Sequence, residues 1–451
     1  MPLTRYLIIL LLALPLCNAA AQQPADSIQA RILRQLEQYP QEKVYVHNDK
    51  PYYISGEDIW LRAHLVDAVF HRQASASRYV YGELVSPLDS VVDRIRIMRD
   101  EQDTYCGYFA LDESLPAGTY TMRFYTRYME NWGEDYFFRK TIYIGGPLSS
   151  RYRIDPAFTF KGNKVKVELN YTDTKTNERF SPKNIRYKDK SGFKTLSTDG
   201  EHTSRFEYDM RKAGTASASL YLEFEHDNKK HSQYITLPGN DDDFNVDFFP
   251  EGGHLFTGVN NKLSFKAINS RGLSEEVSVS IIDDKGEEIR QANTTYKGMG
   301  MILFPPETGK TYKAVCTNGR NITKEFVLPE AQTTGYGLGV QPTTESFILS
   351  LLQPDGQEYT NELTLLVLQR GVLIYTRKWD NYTNTLIVEK EGMPAGILQF
   401  LLVDDNTGLP ISERLAFVRN EQLMPQVHYS TNKKNYKQRE KVNLQLDIKD
   451  K

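Results

Sequence analysis

KVYVHNDKPYYISGEDIWLRAHLV, residues 43–66, holds two runs of alternating side chains, KVYVH (43–47) and DIWLRAHLV (58–66), on either side of a Pro-, Gly- and Asp-rich turn. A period of two marks a half-buried β-strand, because successive side chains point to opposite faces of a sheet. Trp60, on the second run, is expected in the core. The pattern then recurs outward along the chain: YVYGELV (79–85), TYTMRFYT (119–126), KVKVELNY (164–171), KLSFKAI (262–268), VSVSIID (277–283), SFILSLL (346–352) and ELTLLVLQ (362–369). Gly, Pro, Asn and Asp separate these runs, which predicts an all-β chain of tandem antiparallel β-sandwiches. Helical spacing stands out once, in SIQARILRQL (27–36), where Ile28, Ile32 and Leu36 share a face, Ser27 is placed to cap and Pro40 closes the segment. Without helices alternating between strands, parallel α/β folds are excluded.

The composition agrees. Of 451 residues, 40% are hydrophobic and 25% charged, and 28 Tyr and 21 Phe stand against 3 Trp. Aromatic residues favour strands. Lys and Arg total 55 against 58 Asp and Glu, a net charge of −3, without the basic excess of a nucleic-acid binder.

Clusters of turn-forming residues divide the chain. GGP (145–147), PGNDDD (238–243), PEAQTTG (329–335) and ERLAFVRNEQLMP (413–425) predict sandwiches over 43–147, 148–240, 241–330 and 331–420, each of roughly one sandwich length. An incomplete further sandwich is expected over 421–451, after a helix and linker over 22–42. Internal repeats support the division. DKPYYISGEDIWLRA (49–63) is echoed by NKKNYKQREKVNLQL (432–446), pairing Lys50 with Lys433, Tyr53 with Tyr436, Glu57 with Glu440, Ile59 with Val442 and Leu61 with Leu444. GYFALDESLPAGTY (107–120) is echoed by GMILFPPETGKTY (300–312) and more loosely by MPAGILQFLLV (393–403). With a fifth unit only begun, the chain reads as the front part of a longer protein.

The opening MPLTRYLIILLLALPLCNAAAQQ reads as a secretory signal over 1–21: Arg5, an apolar core from Leu7 to Leu16, then Ala19-Ala20-Ala21, with cleavage after Ala21. The rival reading, a lipoprotein anchored at Cys17, is disfavoured by Leu16 and Pro15 before it. Export places the protein in the periplasm, outer membrane or cell surface. Cys106 and Cys316 are too far apart in sequence for a dense disulfide framework or a C-x-x-C metal site, and both are expected as buried apolar side chains.

VYVHNDKPYYISGEDIWLRA (44–63) and CGYFALDESLPAGTYTMRFYT (106–126) resemble the macroglobulin-type β-sandwich domains of the alpha-2-macroglobulin superfamily. FFPEGGHLFTGVNNKLSFKA (248–267), GKTYKA (309–314) and ISERLAFV (411–418) are similar to large exported envelope proteins of Bacteroidetes-type bacteria. The resemblance implies macroglobulin- or immunoglobulin-like sandwiches, often followed in that group by a TonB-receptor-type plug domain, and partners among TonB-dependent transport components. The Cys-Gly-Glu-Gln thioester motif of protease-trapping macroglobulins is missing: Gly107-Tyr108 follow Cys106, and Thr317-Asn318 follow Cys316.

Little in the chain points to catalysis. The eight His include no zinc-protease pair, His226 and His231 being five apart. Asp241-Asp242-Asp243, taken with Asp247 and Glu251, lacks the alternating ligand spacing of a calcium loop and reads as a solvated linker, with calcium at a domain junction as the sharper alternative. GYGLG (335–339) lacks the following helix of a dinucleotide site and reads as a strand start. No catalytic, metal or cofactor site is expected. The best binding candidate is RFYTRYMENWGEDYFF (123–138), where Tyr125, Tyr128, Trp132 and Tyr136 either present rings to a sugar or protein partner or pack the last hairpin of the first sandwich. The sequence therefore predicts a non-enzymatic, extended envelope scaffold that binds protein partners. The alternatives are a carbohydrate-binding accessory protein of a glycan-uptake system and a thioester-less protease inhibitor.

Overall fold

A computed structural model describes residues 24–74, 76–102, 104–146, 151–213, 218–239, 243–358, 362–379, 384–419 and 425–449. The signal segment, Cys17, Asp241 and Asp242 lie outside the described residues.

The fold is all-β, with one α-helix among the described residues. In the first sandwich, a three-stranded sheet places Asp58–Asp67 between Glu42–Asn48 and Tyr105–Ala110. It faces a five-stranded sheet ordered Tyr52–Ile54, Phe138–Gly145, Gly118–Tyr125, Tyr79–Val85, Val91–Met98. Val44, Val46, Ile59, Leu61 and Leu65 from one sheet meet Val80, Leu84, Tyr120, Met122, Phe124 and Ile142 from the other in one core. Three more two-sheet units follow, with cores around Val167 and Leu222, Phe265 and Ile281, and Leu349 and Phe400. Among the described residues, the strands pair antiparallel except where Tyr52–Ile54 runs beside Phe138–Gly145 and Leu255–Phe256 beside Ala331–Gln332, and a single parallel bridge joins Ala117 to Gln233.

The helix spans Pro24–Gln38, so it starts earlier than the spacing suggested and Ser27 lies inside it. Proline is tolerated in a first helical turn, where its missing N–H has no partner to lose. Ile32 packs against the cluster Leu366, Leu368 and Val403 of the fourth sandwich, which Leu373 and Leu401 also flank. The reason lies in strand Leu363–Gln369, which is buried along its whole length. Leu365 and Val367 fill the sandwich core, and Leu366 and Leu368 need a second cover. The Arg370 guanidinium also donates to the carbonyl of Val69 in the first sandwich (2.9 Å). The array thus folds back on itself, where the sequence suggested an extended string.

Two positions correct the sequence reading. Trp60 faces solvent, 56% exposed, because Ile59, Leu61, Ala63 and Leu65 on the same strand take the inward set and alternation sends Trp60, Arg62 and His64 outward. Cys106 is exposed on the outer face of its strand, since Tyr105 and Phe109 point inward, whereas Cys316 is buried. Burial pushes the Cys316 thiol up to about 12.

The repeat is reproduced atom by atom. Tyr53 Oη donates to Asp49 Oδ1 (2.7 Å) and accepts from the Lys50 amide (3.1 Å), and the Trp60 amide donates to the same Asp49 oxygen (3.1 Å). The Ile54 amide caps Glu57 (2.9 Å), which pairs with Lys50. At the repeat, Tyr436 Oη donates to Asn432 Oδ1 (2.7 Å) and accepts from the Lys433 amide (3.0 Å). The Asn443 amide donates to Asn432 (3.0 Å), the Lys437 amide to Glu440 (2.9 Å), and Lys433 pairs with Glu440.

Neighbouring positions of one strand should therefore answer truncation differently. Ile59→Ala, at a fully buried site, should cost about 2–5 kcal/mol in denaturant unfolding. Trp60→Ala should cost less than about 1 kcal/mol, the worth of a cross-strand aromatic pair.

Candidate functional site

The four aromatic candidates do not converge on one platform. Tyr125 sits on the outer face of the five-stranded sheet, stacked on Phe137 (4.4 Å between centroids, 12°) and opposite Tyr81 (5.8 Å, 21°). Arg127 lies over Tyr81 at 5.4 Å, completing a column of one cation and three rings. Tyr136 packs against the first core, with its hydroxyl buried and lacking a hydrogen-bond partner, and burial raises its pKa. Tyr128 is half-buried, and its carbonyl accepts from the Asn131 amide (3.2 Å). Trp132 is exposed on the 3-10 turn Met129–Trp132. Among the described residues, no ring contact joins Trp132 to the other three.

Beside the column, Glu83 is buried on the sheet's outer face. Its carboxylate accepts from Arg123 Nε (2.8 Å), Arg94 Nε (3.1 Å) and Tyr125 Oη (3.2 Å). Burial alone would raise its pKa, but the two guanidinium groups outweigh that and hold it below the usual glutamate range. These groups satisfy one another, so the cluster fastens strands rather than presenting free charge.

The opposite sheet carries rings the sequence did not single out. Trp60 and Tyr108, cross-strand partners, lie 5.0 Å apart with a 43° tilt, and both are about half exposed. Tyr45 and His47 are 4.9 Å apart, and His47 and His64 5.3 Å, on the same face. The signal was present in the alternation itself: the aliphatic residues at 59, 61, 63 and 65 form the stronger inward set.

The joints between sandwiches are the most closely built places. At the first, the Tyr234 amide donates to the Ala117 carbonyl (2.7 Å), and the Tyr120 hydroxyl closes on the Pro116 carbonyl (2.8 Å). A Cβ at Gly118 would come within 2.9 Å of Tyr234, so the PAGTY turn needs glycine for this approach. A cleft of about 390 Å³ beside this joint includes Tyr152, Tyr221, Glu223, Lys230 and His231 in its wall. At the start of the third sandwich Asp243 pairs with Lys324 of the same unit, which engages the one described member of the run Asp241-Asp242-Asp243.

The third joint is made by PEGG at 250–253. Glu251, 9% exposed, accepts from the Val340 amide of the fourth sandwich (3.1 Å) and pairs with Lys262 (3.1 Å) and Arg414 (3.4 Å). Ser412 Oγ donates to the Gly252 carbonyl (2.8 Å) and accepts from the Leu338 amide (2.9 Å). Gly252 has φ 78°, and a Cβ there would lie 2.9 Å from the Leu338 nitrogen. GYGLG accordingly enters strand Gly337–Pro342, with Gly337 close against the Phe256 ring. Among the described residues, no three His, Cys, Asp or Glu side chains gather as a metal site.

No protein-family model matches the chain, and no curated protein does either. Among solved structures, it is similar to Salmonella alpha-2-macroglobulin reacted with methylamine, at 11% identity and TM-score 0.35 over 91% of this chain and 32% of that one. It is also similar to the native conformation of Escherichia coli alpha-2-macroglobulin, at 10% identity and TM-score 0.31 over 87% of this chain and 30% of that one. A biofilm-associated protein's BSP domain gives 9% identity and TM-score 0.24 over 84% of this chain and 96% of that one. The chain thus spans about a third of the length of the alpha-2-macroglobulin structures.

Glu83→Gln should test the cluster on the outer face. A carboxylate with a depressed folded-state pKa stabilises fully above its unfolded value, ~4.3, and that contribution is lost as pH falls through the folded value. The wild-type unfolding midpoint should therefore drop more steeply below about pH 4 than that of the variant.

Proposed function

We propose that the chain is a non-enzymatic, exported scaffold of the cell envelope, whose tandem sandwiches hold surfaces and sheet edges at fixed positions for protein partners. The observation that carries this reading is the third joint. A buried carboxylate is bound by an amide and two cations, with a glycine seated where no side chain fits. Such a joint resists rotation, because bending it would strip the buried Glu251 of the Val340 amide and Arg414 and leave it with Lys262 alone. Linkage to outer-membrane transport, with TonB-dependent components among the partners, extends the proposal along the family resemblance.

Glu251→Ala tests it. Lys262 and Arg414 stay partly solvated when Glu251 is removed, so the loss should be that of hydrogen bonds to a charged group, about 1.5–3 kcal/mol, and the joint should loosen. Small-angle scattering should show a larger radius of gyration, and in-cell cross-linking should show fewer defined envelope partners. An unchanged cross-linking pattern despite a loosened joint, or a fractionation that leaves the protein in the cytoplasm, would overturn the proposal.

A second reading, glycan binding, is favoured by one observation: Trp60 and Tyr108 place adjacent half-exposed rings on the outer face of the three-stranded sheet. Titration with soluble polysaccharides decides it. If glycan binding is the role, Trp60→Ala should abolish a saturable signal that Trp132→Ala leaves intact. The scaffold proposal expects no saturable signal from either protein.

A further inference from the structure

The outer face of the three-stranded sheet carries two adjacent imidazoles, away from the joints and the Glu83 cluster. Val44, Val46, Ala63 and Leu65 point into the first core, so alternation sends Tyr45 and His47 of one strand and Arg62 and His64 of the next outward. Tyr45 lies opposite His64 and His47 opposite Arg62, which makes the two histidines diagonal neighbours across the strand pair. Their rings stand edge to face, with planes 85° apart and centroids separated by 5.3 Å. Tyr45, itself edge-on to Phe138, packs against His47 at 4.9 Å and backs that ring.

That separation matches a shared metal ion. A Zn–N bond of about 2.0–2.1 Å, continued about 1.1 Å to the ring centre, sets the centroids of two imidazoles on one tetrahedral ion about 5.2 Å apart. Both residues are exposed, so an ion reaches them from solvent and water completes its shell. Desolvation, then the neighbouring His47 and Arg62, lowers the His64 pKa and keeps that ring in its neutral, ligating form at pH 7. The hairpin Gln426–Thr431 with Leu444–Lys449 serves as an internal control. It repeats the register and the turn, yet Ser430 and Asp447 stand where His47 and His64 would fall. Folding such a hairpin therefore does not require the two rings.

We propose that His47 and His64 form a two-imidazole site for a divalent transition metal, Cu2+, Ni2+ or Zn2+. Ligand chemistry selects this class. Imidazole suits these ions, and Cu2+ stands above Ni2+ and Zn2+ in affinity for such donors. Calcium and magnesium call for several oxygen ligands, and among the described residues no third His, Cys, Asp or Glu joins the pair. The Arg62 guanidinium, opposite His47, lowers the affinity for every cation, so the site holds only ions that gain strongly from nitrogen ligands. The inference concerns neither cellular location nor partners and is independent of the scaffold reading.

Titration calorimetry of the chain, first stripped with a chelator, tests it with CuCl2, NiCl2 and ZnCl2. Cu2+ should bind tightest. His47→Gln and His64→Gln should each weaken that binding at least about tenfold, since even partners outside a ligand set are worth roughly 10–100-fold. His428→Gln, at an exposed histidine elsewhere, should leave it unchanged. Without metal, both site variants should keep the wild-type unfolding midpoint; with metal, only the wild-type and His428→Gln midpoints should rise. In the unaltered chain, Cu2+ should broaden the ring-proton signals of His47 and His64 before those of other histidines, a readout that needs no substitution. Affinities unmoved by either site substitution would overturn the proposal, as would first broadening elsewhere or Ca2+ binding as tight as that of Ni2+. No saturable Cu2+ signal would also overturn it and leave the two rings as an aromatic contact.

Discussion

A β-strand has two faces, and a two-layer sandwich can bury only one of them. That constraint organises the whole molecule. Where one face is apolar, the strand packs once and shows its other side to water, as Asp58–Asp67 does with Ile59 inside and Trp60 outside. Where both faces are apolar, a second cover must be found. Strand Leu363–Gln369 is covered on its outer face by the helix Pro24–Gln38, drawn from the far end of the sequence. The seat of the helix on the fourth sandwich thus follows from a strand whose outer face is largely apolar. The hairpin at 426–449 is the remaining case, a strand pair whose one apolar face is bare in this structure.

Within these limits, charge is buried only where it is matched. Glu42 lies under the first sandwich and accepts from the Ser77 amide (3.0 Å), the Ser77 hydroxyl (2.7 Å) and the Thr126 hydroxyl (2.6 Å). Glu83 is held by two arginines and a tyrosine, and Glu251 by an amide, a lysine and an arginine. Asn261 does the same without charge, its side chain exchanging hydrogen bonds with both the amide (2.8 Å) and the carbonyl (2.7 Å) of Phe256. In each case the desolvation of a polar group is offset by a complete set of partners, which also fixes the geometry of the loop that supplies them. These fasteners lie at loops, outer faces and joints, where alternation alone does not set the chain's path.

Much of the architecture was legible because it is local. Period-two runs and turn residues sufficed for the strands, since pleat and turn chemistry act over a few residues. The repeat of Lys50, Tyr53 and Glu57 at Lys433, Tyr436 and Glu440 was legible too, as those side chains close a turn within a dozen residues. The aromatic cluster was only half legible. A run rich in Tyr and Trp shows that rings are present, but whether Tyr125 packs or Trp132 protrudes depends on the partner strands Tyr79–Val85 and Phe138–Gly145. Trp60 and Cys106 were misassigned because residue type was weighed above strand parity.

By itself, the sequence determined the fold class, the repeated opening hairpin, and the absence of recognisable catalytic spacing, since each is written in short-range order of side chains. Tertiary structure alone decided which parity of each strand faces inward, that the helix lies on the fourth sandwich, and that Glu251 and Gly252 form a joint with Val340, Leu338 and Ser412. Those outcomes depend on contacts between residues far apart in the chain, selected by competition among apolar faces for cover and among buried polar groups for partners. A linear pattern carries both competitors, and only packing resolves which of them is served.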